Sequence, residues 1–188
     1  MKRSSLVRVP LLATVMVIGG CGYNTIQTMD ERVNQAQGQV QTQLQRRSDL
    51  IPNLVSTVKG ITKQEDTVFI SIANARARLS GAVQSGNVPE MSAADQQLSQ
   101  GLGRLLAISE NYPQLRSSEN FRQLQDQLEG TENRIAVARQ DYNTVVGEYN
   151  AYVRRFPYNL TAKVFGLGKP REYFGAAPGA QEAPKVTF

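Results

Sequence analysis

The 188-residue chain contains no histidine, no tryptophan and a single cysteine, Cys21. Without histidine it cannot supply the commonest general base, the usual zinc or iron ligand set, or a Ser-His or Cys-His nucleophile pair. One cysteine excludes an internal disulfide. Charge asymmetry is slight as well: of the net +5, three charges are Lys2, Arg3 and Arg8 at the extreme start. The remainder gives no reason to expect nucleic acid as a partner. These absences remove most familiar hydrolase chemistry. What is left, with 40% hydrophobic residues, suffices for one modest core.

Lys2, Arg3 and Arg8 precede a short apolar run over residues 11–18, and Ile18-Gly19-Gly20 are followed by Cys21. A positive start, an apolar stretch and small residues before a cut make a secretory leader over residues 1–20. The run is about half the roughly 20 residues needed to span a bilayer. Ile18-Gly19-Gly20-Cys21 resembles the bacterial lipobox, in which diacylglycerol is joined to the cysteine sulfur and the leader is cut just before it. Several acyl chains would hold the mature chain stably on a membrane. Gly22, where an aspartate commonly retains a lipoprotein on the inner membrane, favours the outer membrane of a two-membrane cell, facing the periplasm. An ordinary leader with an incidental cysteine, or an uncleaved anchor helix, remain as alternatives.

The longest ordered pattern lies further on. Phe121, Leu124, Leu128, Thr131, Ile135, Ala138, Tyr142, Val145, Tyr149, Tyr152 and Phe156 recur at spacings of three and four, the stripe of a helix roughly 50 Å long. Such a face needs partners of similar length. A first helix is expected over residues 24 to about 48, with Ile26, Met29, Val33, Ala36, Val40 and Leu44 on its stripe and Arg47 on the same line. Ser48-Asp49-Leu50-Ile51-Pro52 then reads as a tight reversal, a single helix kinked at Pro52 being the alternative. A second helix is expected from about 52 to 84, with Glu65 as the one misfit on its stripe, then a loop over 85–91. A third should run from about 92 to 111, where Gly101 and Gly103 lower helicity but allow another helix to approach closely. Ser117 or Ser118 caps the fourth, with Glu119 in its first turn. The expected fold is all-α, an antiparallel up-down-up-down four-helix bundle with coiled-coil-like seams over residues 21–174, followed by a disordered tail at 175–188.

Tyr23-Asn24, the run Arg46-Arg47-Ser48-Asp49-Leu50-Ile51-Pro52-Asn53-Leu54-Val55, Glu110-Asn111-Tyr112-Pro113-Gln114-Leu115, Thr131-Glu132-Asn133-Arg134-Ile135-Ala136, Tyr142-Asn143 and Phe156-Pro157 resemble the LemA family. The resemblance covers about residues 23–174, in order. It implies a helical bundle attached to the bacterial envelope, no established enzymatic activity, and an envelope protein as partner. The chain departs from the family at its start, where many members carry a spanning helix, and this favours a lipid tether.

The polar misfits are the places where a site can sit. Counting down the expected helices puts Glu65 and Glu132 near one level, with Arg139 on the same side as Glu132. Paired carboxylates in a bundle suggest di-iron chemistry, yet that needs histidines the chain lacks. A hard-cation site or acid–base work would use the same two carboxylates. The plainer reading is a polar layer satisfied by Arg139, Arg134 or glutamines of the first helix, with no catalytic, cofactor or metal residue. Arg46, Arg47, Glu110 and Glu119 are expected at the membrane-distal tip, as a solvated salt-bridge cluster or a docking surface. At the other end Arg154, Arg155, Lys163, Lys169 and Arg171 interleave with Tyr158, Phe165, Tyr173 and Phe174. That composition suits acidic lipid or cell-wall polymer, although folding back onto the bundle is also expected of it. The leading function is a non-enzymatic lipoprotein that binds an envelope partner. A carboxylate-layer enzyme or metal protein, and a lipid- or cell-wall-binding module, are the alternatives.

Overall fold

A computed structural model describes residues 22–60 and 66–175. The expected leader, Cys21, Glu65 and the tail from residue 176 lie outside the described residues. Within them the chain forms six helices and no strand: α1 Tyr23–Lys59, α2 Asp66–Ser85, α3 Val88–Ser109, α4 Pro113–Arg116, α5 Glu119–Arg154 and α6 Tyr158–Val164.

The expected reversal at residues 48–52 is replaced by continuous helix, because α1 carries Pro52 inside it. Proline lacks the N–H that would bond the carbonyl four residues back. That carbonyl, on Ser48, instead accepts from Arg76 Nε at 3.0 Å, which removes the cost of an orphaned backbone oxygen. The apolar stripe therefore runs on through Ile51, Leu54 and Val58, all buried. The last two were expected on a second helix. The loop expected at 85–91 shrinks to Gly86 and Asn87. Gly86 turns the chain at φ +69°, and Asn87 Oδ1 accepts from the Glu90 N–H at 3.2 Å. Pro89 sits in the first turn of α3, where its missing N–H is harmless. What read as loop chemistry is a helix start.

The residues divide into two compact units, to both of which α1 and α5 contribute. The first comprises the described residues up to Gln37 with Asp141–Glu172; the second comprises those of Gly38–Gln140 and Tyr173–Phe188. In the second unit α2 and α3 form an antiparallel hairpin. Arg78 Nη1 reaches Gln97 Oε1 at 3.2 Å, and one turn away a Cβ on Gly101 would meet Ile72 Cγ1 at 2.9 Å. Gly101 thus provides the close approach expected of it. In α5 the buried line begins as expected, with Phe121, Leu128, Thr131, Ile135 and Ala138. Beyond Tyr142 it keeps Tyr149 as expected but takes Val146 and Val153 in place of Val145, Tyr152 and Phe156. A helix of 3.6 residues per turn drifts about 20° per heptad, and over 36 residues the buried face moves sideways. Phe156, beyond the helix end, is 74% exposed.

Candidate functional site

In the second unit, three helices bring charge into the interior. Arg47 on α1 is buried, and its Nη1 lies 2.7 Å from Asp95 Oδ1 on α3 and 2.7 Å from Glu132 Oε2 on α5. Arg139, one helical stretch below Glu132, places Nη1 4.0 Å from Asp95 Oδ2. Its guanidinium lies 4.8 Å above the Phe174 ring and donates to the Gly175 carbonyl. Gly175 O also accepts from Ser92 Oγ at 3.3 Å, so the last described residue is held rather than free.

Burial dominates the electrostatics of Asp95 and raises its pKa; the nearby Arg47 and Arg139 charges oppose this, and Glu132 adds to it. The carboxylate is paired and still harder to ionise than an exposed one, because the interior disfavours its charge. Glu132 differs, with half of its side chain open to solvent. Both carboxylates face guanidinium cations, so a metal ion would have to displace an arginine. Among the described residues no three His, Cys, Asp or Glu side chains cluster as metal ligands would.

Glu132 and Arg139 therefore do belong to one polar cluster, linked through Arg47 and Asp95. Arg47 was expected at an exposed tip, and its position there is corrected. The helix does not reverse after Ser48, so Arg47 sits mid-helix on the stripe and points inward. Arg46, its neighbour, is exposed but likewise mid-helix, so its expected place at the tip is corrected too. Glu119 pairs with Arg122 Nη2 at 2.6 Å across one exposed turn. Glu110 ends α3 and borders a cavity of about 250 Å³ with Arg116, Phe121 and Arg122. Asp95 was missed, although it stands four residues after buried Met91 and three before buried Leu98. An acid on an apolar line was the available signal.

The first unit holds a different polar arrangement. Arg171 Nη2 lies 2.7 Å from Asp30 Oδ1, and Arg171 Nε donates to the same oxygen at 3.1 Å. Buried Asn150 donates to the Arg171 carbonyl at 2.9 Å and accepts from its N–H at 2.8 Å. Tyr142 donates to the Glu172 carbonyl at 2.8 Å and Tyr149 to that of Leu167 at 2.7 Å. Burial raises both tyrosine pKa values, helped by Glu172 at Tyr142 and by Asp30 at Tyr149. Burial works against the Arg171 cation, but its hydrogen bond to Asp30 and the Asp30 charge more than offset this, so its pKa is raised. Within this unit the irregular segment after α6 is thus bound down by side chains of α1 and α5. Arg171 belongs to this lock and Phe174 is buried, so neither is part of an open basic–aromatic surface. Arg154, Arg155, Lys163 and Lys169 remain exposed.

No helix among the described residues is long and apolar enough to cross a membrane. A family profile described as the LemA family matches residues 36–188. Two relatives from Paramagnetospirillum magneticum, the magnetosome proteins MamQ 1 and MamQ 2, are each 29% identical over 98% of this chain and 74% of their own length. The magnetosome protein MamQ of Magnetospirillum gryphiswaldense is 28% identical over 88% of this chain and 68% of its own.

Proposed function

Because the chain belongs to the LemA family, we propose that it is a non-enzymatic helical protein of the bacterial envelope, anchored through acyl chains on Cys21, that offers its surface to another envelope protein. The observation that carries this reading is the fate of the interior charges. Arg47 Nη1 lies 2.7 Å from both Asp95 and Glu132, its buried Nε alone lacking a partner, and Asp95, whose pKa is raised, is buried behind that arginine. A general acid or base must reach a substrate proton, and this one faces only its partners. The relatives' names assign them to magnetosomes, which accords with an association with membranes.

The fold reading that goes with it is an antiparallel four-helix bundle. Within the second unit its support is the register of the helices. Gln41 donates to the Val83 carbonyl at 3.2 Å while Arg76 reaches Ser48, so α1 and α2 run in opposite directions. Arg47 meets Glu132, and Asn53 and Thr57 line one cavity with Gln127 and Gln123, as antiparallel α1 and α5 would.

The test is made in the native host. Wild-type protein is expected in the membrane fraction, and Cys21→Ser in the soluble fraction or unprocessed. Photo-crosslinkers at Arg46, Glu110 and Glu119 in living cells are expected to give discrete protein adducts. A Cys21→Ser chain that matures and stays on the membrane removes the anchor. A correctly anchored protein without adducts from any of the three positions removes docking at those positions.

A further inference from the structure

Four of the large apolar residues left exposed among the described residues fall within one short stretch. Phe156 is 74% exposed, Leu160 49%, Val164 76% and Phe165 51%. The stretch is not loose. Thr161 and Ala162 of α6 are buried, and the Tyr158 ring stacks on Tyr152 with centroids 4.4 Å apart. Leu160 and Val164, four residues apart, share the opposite side of the helix. The fold holds one face of α6 against the rest of the first unit and turns an apolar face outward.

Along that stretch the charge has one sign. From residue 154 to residue 171 the chain contains no Asp or Glu, and exposed Arg154, Arg155, Lys163 and Lys169 stand in it. Apolar side chains rimmed by Lys and Arg fit the boundary between acyl chains and anionic headgroups. A cell-wall polymer would match the cations but give the apolar face nothing to enter.

The start of the described chain lies against this same element. Gly22, at φ +86°, packs so closely that a Cβ would come within 2.4 Å of Tyr158 Cδ1, and the Tyr23 ring is 4.5 Å from that of Phe165. The described chain thus begins against α6, at the residue that follows Cys21 in the sequence.

We propose that α6 and its flanks form a bilayer-contact surface, which inserts Phe156, Leu160, Val164 and Phe165 among anionic phospholipids beside the acylated residue. The proposal rests on the anchor reading above, and its test separates the two. Full-length Val164→Cys protein, purified with its anchor, is coupled to an environment-sensitive dye and placed in phosphatidylcholine vesicles containing phosphatidylglycerol. Val137→Cys, also at an exposed position of 58%, serves as the comparison.

The dye at 164 is expected to shift to the blue and to be quenched by brominated lipid, while the dye at 137 remains in water. Reversing Lys163→Glu and Lys169→Glu should weaken the quenching about tenfold on these vesicles, since each cation near an anionic surface adds attraction. Circular dichroism confirms that the exposed substitutions leave the helices intact. Protein that floats with the vesicles while both dyes stay in water overturns the contact surface and leaves the anchor. Unchanged quenching after the double charge reversal overturns the choice of anionic lipid. A wild-type chain that itself takes up dye at Cys21 overturns the anchor instead. The 164 measurement is then repeated in a Cys21→Ser background, where quenching supports the surface and its absence overturns it.

Discussion

The two units solve the same problem, a polar group inside an apolar helix face, in opposite ways. In the second, charge is set against charge: Arg47 lies between Asp95 and Glu132. In the first, beside one ion pair between Asp30 and Arg171, neutral side chains of α5 are set against backbone: Asn150, Tyr142 and Tyr149 take up the carbonyls of a segment with no secondary structure to satisfy them. Charge-to-charge pairing adds little net stability but makes the loss of one member severe. Side chain-to-backbone bonding fails more gently and locally, because each bond is replaceable by water once the segment lifts. The expectation that follows is that the charges of the second unit fix helix register and the bonds of the first hold a strap.

The largest effect should come from Arg47→Ala, which leaves Asp95 buried without its cation. A loss of about 3–5 kcal/mol in denaturant unfolding is expected, enough to threaten a domain of ordinary stability. The contrast sharpens with Arg47→Met combined with Asp95→Leu, which should recover most of that loss. A double variant as unstable as the single one would mean that the pair contributes more than specificity. In the first unit Asn150→Ala should cost about 1–3 kcal/mol, with faster amide exchange at Arg171. A cost as large as that of Arg47→Ala would erase the distinction between the units.

A pH experiment reads the second unit alone. Burial holds the Asp95 pKa above the ordinary carboxylate value in spite of Arg47, so the folded chain binds that proton more tightly than the unfolded chain does. Between the two values stability falls as pH rises, and the loss is complete above the folded value. Asp95→Asn should remove this slope. A wild type that gains stability over the variant as pH rises through that window would show that the arginines outweigh burial. The smallest effect is expected from Glu119→Ala, which breaks an exposed pair with Arg122. Its thermal unfolding should change by less than about 0.5 kcal/mol.

Helix content was legible from spacing alone, because the stripes through Ile26 to Leu44 and Phe121 to Tyr142 have a period that no strand shares. Two boundaries were not legible, and both involve proline. Pro52 reads as a stop by local rules, and it is Arg76, 28 residues after Ser48, that satisfies the Ser48 carbonyl. Pro89 reads as loop until Asn87 is seen to cap the turn that contains it. Asp95 shows the limit for the site: its place on the α3 stripe was visible, but its partner Arg47 could not be matched to it while α1 was taken to end one residue further on. Glu132 and Arg139 were recognisable as misfits, whereas the Asp30–Arg171 lock joins residues 141 positions apart and left no periodic trace.

The most direct test of the central claim, that this helical protein is held to its membrane at the residue preceding Gly22, is the mass of the first peptide of the mature protein taken from host membranes. The expected result is a peptide beginning at Cys21 and heavier by its acyl and glyceryl groups. A peptide that begins elsewhere, or that carries Cys21 as a free thiol, would contradict it.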